Sequence, residues 1–404
     1  MTAIAIVGAG PSGCFTAQAL LKALPEARID ILDRLPVPYG LVRYGVAPDH
    51  QGTKAVTRQF DRLFERQGVH FFGNVRLGAD IALDELLSLY DAVVLAIGLS
   101  GDRRLGIPGE GLAGVHGSGA VTRALNDHPD ATGGLPAIGR DVAIIGNGNV
   151  AIDLVRLLAK GAAEFDGSDI APRQVQALAA AGPRRITVIG RSSAQEAKCD
   201  AVMLRELGRL AGAGITVREA EGEGKVIEAL AAIDGHGAPG AAHQITFRFG
   251  WTPAELTGEG RVQMARFVAS DGSGRALDLP CDTVLTAIGF QPGSPEQAPL
   301  GAGDDGFVRP GLYATGWFRR GPRGTIPENR ADAQTVAARI AADLAGGTAP
   351  RPGREALATR LSGAVSFDGW LRIDAAERAA SPPDRCRLKI AEIDKLLDIA
   401  RGTP

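Results

Sequence analysis

The sequence has few of the residues that bind metals or form disulfides. Its 404 residues include four cysteines and six histidines. No two cysteines form a C-x-x-C pair, which argues against a redox-active dithiol, a cysteine-ligated cluster and a disulfide framework. The histidines are scattered in the same way, so the sequence predicts no metal site. The cysteines are Cys14, Cys199, Cys281 and Cys386.

Strong charge and long apolar runs are also missing. The net charge is −2 at pH 7, which gives the chain as a whole no attraction for nucleic acid or acidic membranes. No apolar run reaches membrane-spanning length, and no positively charged leader precedes the first apolar stretch. We therefore expect a soluble, cytoplasmic protein of two domains. The sequence leaves its oligomeric state, monomer or larger, open.

Glycine, by contrast, is abundant. There are 54 glycines, enough for roughly one G-x-G-x-x-G motif by chance. The sequence contains four such motifs, at residues 8–13, 109–114, 235–240 and 301–306. Only the first follows a strand-like apolar run and precedes an amphipathic helix pattern. The other three lie among proline, glycine and charged residues, so we expect them to be loops.

The first motif has the features of a dinucleotide-binding turn. Gly8 permits the tight turn, Gly10 lets the backbone approach a pyrophosphate, and Gly13 allows close packing of helix on strand. The helix that follows offers free N–H groups and a partial positive charge. A second strand ends in Asp33, 20 residues after Gly13, where a carboxylate can bind both ribose hydroxyls. A glycine-rich turn in another kind of α/β protein is the alternative.

A second motif of this type lies further along the chain. It reads Gly146-x-Gly148-x-x-Ala151, follows an apolar strand pattern and precedes a helix pattern. The next strand ends in Arg191 instead of an acid. A guanidinium suits a 2′-phosphate, which a carboxylate would repel. The first motif thus predicts FAD or NAD, and the second favours NADP.

Two similar strands indicate that one domain is inserted into the other. They are DAVVLAIG (91–98) and CDTVLTAIG (281–289), which enclose the second motif. A Pro/Gly-rich segment follows each strand, as expected where a chain crosses between domains. The simplest arrangement is an outer domain of residues 1–105 and 290–404, with an inner domain of 106–289. Both domains are predicted to be α/β and Rossmann-like.

Several longer segments are more specific than the glycine motifs. They are VPYGLVRYGVAPDHQGTKAV (37–56), FFGNVRLG (71–78), LGIPGEGLAGV (105–115), GNGNVAIDLVRLL (146–158), SDIA (168–171), LYATGWFRRGPRGTI (312–326) and SFDGWLRIDAAE (366–377). Together they resemble the adrenodoxin reductase family, which includes bacterial ferredoxin–NADP(+) reductases. The resemblance covers nearly the whole chain. Many two-domain flavoproteins have Gly-Asp where this chain has Gly316-Trp317, as this family does.

The resemblance implies an enzyme with FAD in the outer domain and NADP(H) in the inner one. NADPH would deliver two electrons as hydride to the flavin, which would pass them singly to a ferredoxin-type iron–sulfur protein in a transient complex. Two other functions remain open from the residues. One is a flavoenzyme that acts on a small organic substrate, and the other is a flavin-binding module without catalysis.

Carried over residue by residue, the resemblance implies which groups hold the cofactors. The FAD contacts would be Gly8, Gly10, Ser12, Gly13, Asp33, Leu41, Val75, Trp317, Gly324, Thr325 and Ile326. The NADP contacts would be Gly146, Asn147, Gly148, Asn149, Val150, Arg191 and Ser192. His50 and Glu206 would assist hydride transfer and proton balance at the flavin.

Some of these residues also have a structural interpretation. His50 could cap a helix after APD, Glu206 could lie on the surface of an amphipathic helix, and Trp317 could be part of the core. The arginines of segment 319–323 could form a solvated turn. Alternatively, they could meet a phosphate or an acidic ferredoxin near the flavin edge.

The chain departs from the family at three places. The family has two arginines where this sequence has Arg191-Ser192, and an acid where it has Met203. Residues 212–245 are short and rich in Gly and Ala, where relatives often carry a longer basic segment. These departures weaken the prediction of a strict NADPH preference and of the usual ferredoxin-docking surface. They do not affect the FAD site.

Overall fold

The computed structural model describes residues 2–238, 240–324, 326–347 and 351–402. The chain forms two compact units. The outer unit contains Met1–Gly101 and Phe290–Pro404, and the inner unit contains Asp102–Gly289. The first crossing thus comes after Gly101, earlier than the boundary after residue 105 expected from the sequence. Two short strands, Gly101–Asp102 and Phe290–Gln291, mark the crossings.

A six-stranded sheet forms the centre of the outer unit. Its strands are parallel, except that the first edge strand is antiparallel to its neighbour. They are short apolar runs with few exposed positions, as expected for a sheet covered on both faces. In spatial order they are Phe307–Arg309, Leu312–Ala314, Ala92–Leu95, Ala3–Val7, Arg28–Leu32 and His70–Phe72.

Helices cover this sheet, and the helix after the first glycine turn packs closely against the longest one. Proline stands at the start of the first helix, where its missing N–H costs nothing. The helices of the outer unit are Pro11–Ala23, Gly40–Tyr44, Gln51–Lys54, Thr57–Arg66, Leu83–Leu89, Trp317–Arg320, Ile326–Leu344, Arg354–Arg360, Phe367–Ala379 and Ile393–Arg401, with a 3-10 turn at Pro295–Gln297. Among the described residues, no helix has the length and apolarity needed to cross a membrane.

The inner unit has a six-stranded parallel sheet and a separate antiparallel one. The parallel strands are, in spatial order, Val115–Gly117, Thr283–Thr286, Asp141–Ile145, Arg185–Gly190, His243–Phe249 and Ala213–Val217. The antiparallel strands are Trp251–Thr257, Met264–Ala269 and Ala276–Pro280. The helices are Ser118–Leu125, Asn149–Ala159, Pro172–Ala181, Ala201–Leu207 and Lys225–Ile233, with a 3-10 turn at Ala162–Phe165.

The similar strands of the sequence occupy equivalent places in the two units. Ala92–Leu95 lies parallel to the strand that enters the first glycine turn. Thr283–Thr286 lies parallel to the strand that enters the second. The Ala-Ile-Gly that follows each strand therefore runs beside a glycine turn, and the two units repeat the same strand–turn–helix arrangement. The fold is α/β with two Rossmann-like units.

Candidate cofactor sites

The first and third glycines of the outer turn are required by the fold itself. Gly8 has φ +113°, and its N–H donates to the Leu32 carbonyl at 2.7 Å. A Cβ at Gly8 would lie 2.4 Å from the Ala96 carbonyl oxygen. A Cβ at Gly13 would lie 1.9 Å from the carbonyl oxygen of Gly8. Neither position can hold a side chain without moving backbone.

The middle glycine, Gly10, is different because the protein leaves space beside it. Its backbone is extended, with φ −74°, and the nearest atom to an added Cβ is the Gly40 Cα at 3.9 Å. The helix Pro11–Ala23 begins directly after it. The N-terminus of a helix binds anions through free N–H groups and the helix dipole. The turn therefore fits a pyrophosphate that approaches the Gly10 backbone.

The carboxylate of Asp33 lies at the end of the neighbouring strand. One oxygen accepts a hydrogen bond from the Ala9 N–H (2.8 Å) and the other from the Leu35 N–H (3.0 Å). Burial raises the pKa of Asp33, although these two hydrogen bonds oppose the increase. Each oxygen has a second lone pair. The group is thus fixed beside the turn and can still accept bonds from ribose hydroxyls.

Two other predicted FAD contacts lie in loops next to this turn. Leu41, in the short helix Gly40–Tyr44, is 37% exposed although it is apolar. Tyr39 precedes that helix with a left-handed φ of 82°, and its N–H donates to the Ala9 carbonyl at 2.9 Å. Val75 is buried, and its N–H is bonded to the Asp33 carbonyl at 2.8 Å. Because the N–H of Val75 is already bonded, its backbone carbonyl is the group that can bind a ligand.

Trp317 offers an aromatic surface with an unused hydrogen-bond donor. Its ring stacks on Phe290, with 5.5 Å between ring centroids. Its Nε1 is buried and has no hydrogen-bond partner. The preceding residue, Gly316, has φ +67°, and a Cβ there would lie 2.0 Å from the Ser12 Oγ. A half-buried indole with an unpaired N–H suits a flat ring that carries acceptor atoms, as isoalloxazine does.

The last predicted FAD contacts lie at the start of the longest helix. Gly324 has φ +92°, and a Cβ there would meet the Glu328 side chain at 2.6 Å. Thr325 lies outside the described residues. Ile326 is the first residue of the helix Ile326–Leu344. A helix N-terminus at this place can receive a polar edge of a ligand.

Asp332 is important in this region although the sequence does not single it out. Its carboxylate accepts hydrogen bonds from the Thr315 Oγ1 (2.8 Å) and the Gly316 N–H (2.5 Å) and pairs with the Arg319 guanidinium. Burial alone would raise the pKa of Asp332, but these bonds outweigh it and hold the pKa below its usual value. The Arg320 Nε also lies 3.3 Å from the Asp332 carboxylate.

These ion pairs argue against one of the two interpretations of segment 319–323. Arg319 and Arg320 do not form a solvated turn, because their guanidinium groups are bound to Asp332 and, for Arg320, to the Asn329 Oδ1 at 2.9 Å. Arg323 is exposed. A helix with Asn329 and Asp332 three residues apart places both on one face. This spacing alone does not identify Arg319 and Arg320 as the partners of the two side chains.

The glycine turn of the inner unit repeats that of the outer one. The Gly146 N–H donates to the Ile189 carbonyl at 2.8 Å. A Cβ at Gly146 would lie 2.2 Å from the Ala287 carbonyl oxygen, whereas Gly148 has no atom within 4 Å. The helix Asn149–Ala159 follows, with Val150 half-buried in its first turn. Again the fold occupies the space at the first glycine and leaves it open at the middle one.

Three predicted NADP contacts also hold the inner unit together. The Asn147 Nδ2 donates to the Ser192 Oγ at 3.1 Å. This amide lies over Gly190, where a Cβ would meet it at 2.2 Å. The Asn149 Oδ1 accepts from the Asp200 N–H at 2.7 Å. Ser192 is thus part of a bonded pair instead of a free hydroxyl.

Arg191, the predicted ligand of the 2′-phosphate, is exposed at the end of a strand. It directly follows the strand Arg185–Gly190 and is exposed. It forms no hydrogen bond or ion pair with any residue that the structure describes. A guanidinium in this state can bind a phosphate without first breaking an internal contact.

His50 and Glu206 belong to different units. His50 is the N-cap residue of Gln51–Lys54, is half-buried, and makes no capping hydrogen bond through its side chain. Glu206 lies in Ala201–Leu207, and its carboxylate is 3.9 Å from the buried guanidinium of Arg156. Arg156 in turn pairs with Asp153 at 2.7 Å. A role for either residue in catalysis stays a prediction.

Comparison with known proteins agrees with this geometry. A family model described as pyridine nucleotide-disulphide oxidoreductase matches residues 2–231. The cindoxin reductase of Citrobacter braakii is 46% identical over 421 residues, covering 99% of this chain and 91% of the relative. The mitochondrial NADPH:adrenodoxin oxidoreductase of Arabidopsis thaliana is 34% identical over 435 residues, covering 93% and 90%.

A solved structure extends the match to three dimensions. The NADPH-ferredoxin reductase FprA of Mycobacterium tuberculosis is 34% identical over 455 residues, covering 99% of both chains. Its structure in complex with NADPH superimposes with a TM-score of 0.91 and 32% identity, covering 99% of this chain and 100% of FprA. The chain belongs to the adrenodoxin reductase family. Members of this family are flavoprotein oxidoreductases with FAD and NADP(H) as cofactors, and the two glycine turns fit that pair.

Proposed function

We propose that this protein is an NADPH-dependent ferredoxin reductase that uses FAD to pass electrons singly to a ferredoxin-type iron–sulfur protein. One observation carries the proposal. The chain has two glycine turns with open middle glycines, and the strand beside one ends in a carboxylate while the strand beside the other ends in an unpaired arginine. This is a pair of sites for an unphosphorylated and a 2′-phosphorylated adenosine.

The outer unit is proposed to hold FAD. The Gly10 backbone and the start of Pro11–Ala23 would bind the pyrophosphate, and Asp33 would accept bonds from the adenosine ribose. The indole of Trp317 would lie against the isoalloxazine. Asp332 supports this end of the site, because it fixes Gly316 and therefore the position of Trp317.

The inner unit is proposed to hold NADP(H). The Gly148 backbone and the start of Asn149–Ala159 would bind its pyrophosphate. Arg191 would bind the 2′-phosphate, and the Ser192 hydroxyl, which already accepts a bond from Asn147, could still donate one. One arginine in place of two gives a preference for NADPH that is weaker than in relatives with both.

When bound, FAD would supply the change from two-electron transfer from NADPH to one-electron transfer to the carrier, which is why such an enzyme needs both cofactors. One NADPH therefore reduces two molecules of a one-electron carrier and releases NADP⁺ and a proton. His50 and Glu206 are proposed to hold and exchange protons where the two cofactors meet. His50 belongs to the outer unit and Glu206 to the inner unit. The proposal therefore requires residues of both units to act in one reaction.

The nature of the carrier is the finer part of the proposal. The relatives are named for ferredoxin, adrenodoxin and cindoxin. An iron–sulfur ferredoxin fits an enzyme that delivers single electrons. We also expect the protein to work in the cytoplasm, as the sequence predicts.

Anaerobic titration followed by addition of a carrier tests the function. NADPH should bleach the flavin absorbance of the purified protein, and an added ferredoxin should restore it and sustain cytochrome c reduction. Reoxidation by a flavodoxin but by no ferredoxin would reassign the carrier. A flavin that NADPH bleaches and that no protein carrier reoxidises would instead support an enzyme that acts on a small organic substrate.

A further inference from the structure

A loop of the inner unit is bonded to the second glycine turn at both of its ends. It comprises residues 192–200, and we call it the anchored loop. At its start, the Ser192 Oγ accepts a hydrogen bond from the Asn147 Nδ2 at 3.1 Å. At its end, the Asp200 N–H donates to the Asn149 Oδ1 at 2.7 Å. The two asparagines stand on either side of the middle glycine of the turn, so the anchored loop is held beside that glycine.

The anchored loop also has a defined structure of its own. The Glu196 N–H donates to the Ser193 carbonyl at 3.2 Å. The Ala197 N–H donates to the Ala194 carbonyl at the same distance. The side chains of Ala194 and Cys199 are buried. Backbone turns and buried side chains therefore fix the loop between its two bonded ends.

Lys198 is the one cation in the sequence of the anchored loop. It is exposed, and its ammonium group forms no hydrogen bond or ion pair with any residue that the structure describes. An acid stands two residues away on each side, but both carboxylates bind other groups. Glu196 accepts from the Ser193 Oγ at 3.2 Å. Asp200 accepts from the Val202 N–H at 2.7 Å. The positive charge of Lys198 is thus available to an anion from outside the protein.

Lys198 lies close to the turn that is proposed to bind the pyrophosphate of NADP(H). Asp200, two residues further on, is bonded to Asn149, the first residue of the helix Asn149–Ala159. Two residues span at most about 7 Å, and lysine carries its charge on a flexible four-carbon stem. The first turn of the helix contains no acid, and no atom lies within 4 Å of a Cβ added at Gly148. A phosphate bound at this turn is therefore within reach of the Lys198 ammonium.

We propose that Lys198 binds the pyrophosphate of NADP(H), whereas Arg191 binds the 2′-phosphate. The inference rests on the proposed function and adds a second cation to its nucleotide site. Arg191 is at the end of a strand, while Lys198 belongs to the part of the anchored loop that is bonded to the start of the helix. NADPH and NADH both contain the pyrophosphate. Lys198 would therefore strengthen the binding of both nucleotides equally, and Arg191 would select between them.

Equilibrium binding to the oxidised protein with its FAD tests the assignment. The ligands are NADP⁺, NAD⁺ and 2′-AMP, which has the 2′-phosphate but no pyrophosphate. Lys198→Ala should raise the Kd of NADP⁺ and of NAD⁺ by the same factor, about fivefold or more, and leave that of 2′-AMP unchanged. Lys198→Arg, which keeps the charge, should stay within about twofold of the wild type. Arg191→Ala should weaken the binding of NADP⁺ and 2′-AMP but not of NAD⁺.

Arg184→Ala is the matched control. Arg184 is exposed and directly precedes the strand Arg185–Gly190, so it lies at the end opposite to Arg191. Its guanidinium forms no ion pair with a residue that the structure describes. The substitution removes one positive charge, as Lys198→Ala does, and all three dissociation constants should stay near the wild type. An equal weakening in this control would assign the effect to net charge and would refute the proposal.

The other results separate the proposal from the function on which it rests. If Lys198→Ala keeps the wild-type Kd for NADP⁺ and NAD⁺, the proposal is wrong while the reductase function stands. If the variant loses affinity for NADP⁺ and 2′-AMP but not for NAD⁺, Lys198 binds the 2′-phosphate, and the proposal is again wrong. A lowered thermal midpoint in Lys198→Ala would show a structural role and also contradict it. If the wild type binds neither NADP⁺ nor NAD⁺, the proposed function itself fails.

Discussion

At the residue scale, the glycines of the two turns fall into two groups. A Cβ added to Gly8, Gly13 or Gly146 would lie only 1.9 to 2.4 Å from backbone atoms of the same unit, so the folded protein excludes a side chain there. Gly10 and Gly148 have room for a Cβ. The protein itself therefore does not require glycine at these two positions, and we expect that a bound cofactor does. Substitutions in the two groups of glycines can therefore distinguish a loss of cofactor binding from a loss of folding.

Gly10→Ala is expected to abolish or strongly weaken FAD binding while leaving the fold intact. The added methyl group has no protein atom closer than 3.9 Å, but it occupies the space through which a pyrophosphate approaches. Gly13→Ala is the matched control, since its Cβ would lie 1.9 Å from a backbone oxygen and should disturb folding. Flavin absorbance after purification and thermal unfolding of the flavin-free protein measure the two effects. A Gly10→Ala protein with full flavin content would refute the assignment of this site.

Arg191 is expected to set the preference for NADPH over NADH. A charge-assisted hydrogen bond to the 2′-phosphate contributes roughly 1.5–3 kcal/mol, or about ten- to a hundredfold in kcat/KM. Arg191→Ala should remove this preference, and Ser192→Arg should widen it, although it also breaks the bond from Asn147. Arg185→Ala, at the other end of the same strand and paired with Asp141, should leave the ratio unchanged. Equal or better use of NADH by the wild type would show that Arg191 does not select the 2′-phosphate.

At the scale of helices and strands, Asp332 joins the longest helix to the end of a strand. Its carboxylate binds Thr315, Gly316 and Arg319 at once. Because these contacts hold its pKa below the usual value, its stabilisation is present at neutral pH and is lost as the pH falls through the lowered pKa. The contact is formed by residues from separate elements, so no local pattern predicts it.

Asp332→Asn should therefore lower the thermal midpoint at pH 7, by an amount that corresponds to about 3 kcal/mol for a broken buried ion pair. The difference from the wild type should shrink as the pH falls below the ordinary pKa of an aspartate, because the unfolded chain is protonated first and the folded wild-type carboxyl follows only at its lowered pKa. Unfolding followed by circular dichroism at pH 7, 5 and 3, with FAD in excess, measures it. A difference that is constant down to pH 3 would show that the ionised carboxylate has no such role.

The helix Phe367–Ala379 contacts a segment that lies more than 300 residues earlier in the sequence. Its Glu377 is buried and bonded to Arg43, from the segment that precedes His50. Trp370 of the same helix packs edge-on against Tyr39, with 5.8 Å between centroids. Burial drives the pKa of Arg43 down, but the neighbouring Glu377 outweighs this and raises it. The two contacts hold the segment of Tyr39 and Arg43, which is itself bonded to Ala9 of the first glycine turn.

At the scale of the whole molecule, His50 and Glu206 provide a test of whether both units serve one reaction. If the two side chains act where the cofactors meet, His50→Ala and Glu206→Ala should each slow flavin reduction by NADPH in stopped flow. FAD content and thermal midpoint should stay near the wild type. His70→Ala and Glu228→Ala, exposed residues of the same two units, are the controls. Unchanged reduction rates in both variants would return these residues to purely structural roles.

The sequence predicts the repeated part of this architecture better than the parts that differ. Each glycine turn is continuous with the strand before it and the helix after it, so it is recognisable from local spacing. The later Ala-Ile-Gly is recognisable because the same string follows a similar strand twice. The first crossing is less sharply marked, because the Pro/Gly-rich segment favours residue 105 and the compact unit ends at Gly101. The pairing of Arg319 with Asp332, and the Asn147–Ser192 bond, depend on tertiary packing. A single sequence carries no signal for such contacts beyond residue type.

Synthesis on the ribosome delivers the N-terminal end of the chain first, and here that order matters. The outer sheet includes Leu312–Ala314, which lies between its antiparallel edge strand and Ala92–Leu95. The inner unit, in contrast, is one continuous stretch, Asp102–Gly289. Domains generally fold as units during translation, so the inner unit can be complete while the first hundred residues still wait for their partners. The nascent chain would then acquire a finished nicotinamide-binding half before it can capture its flavin.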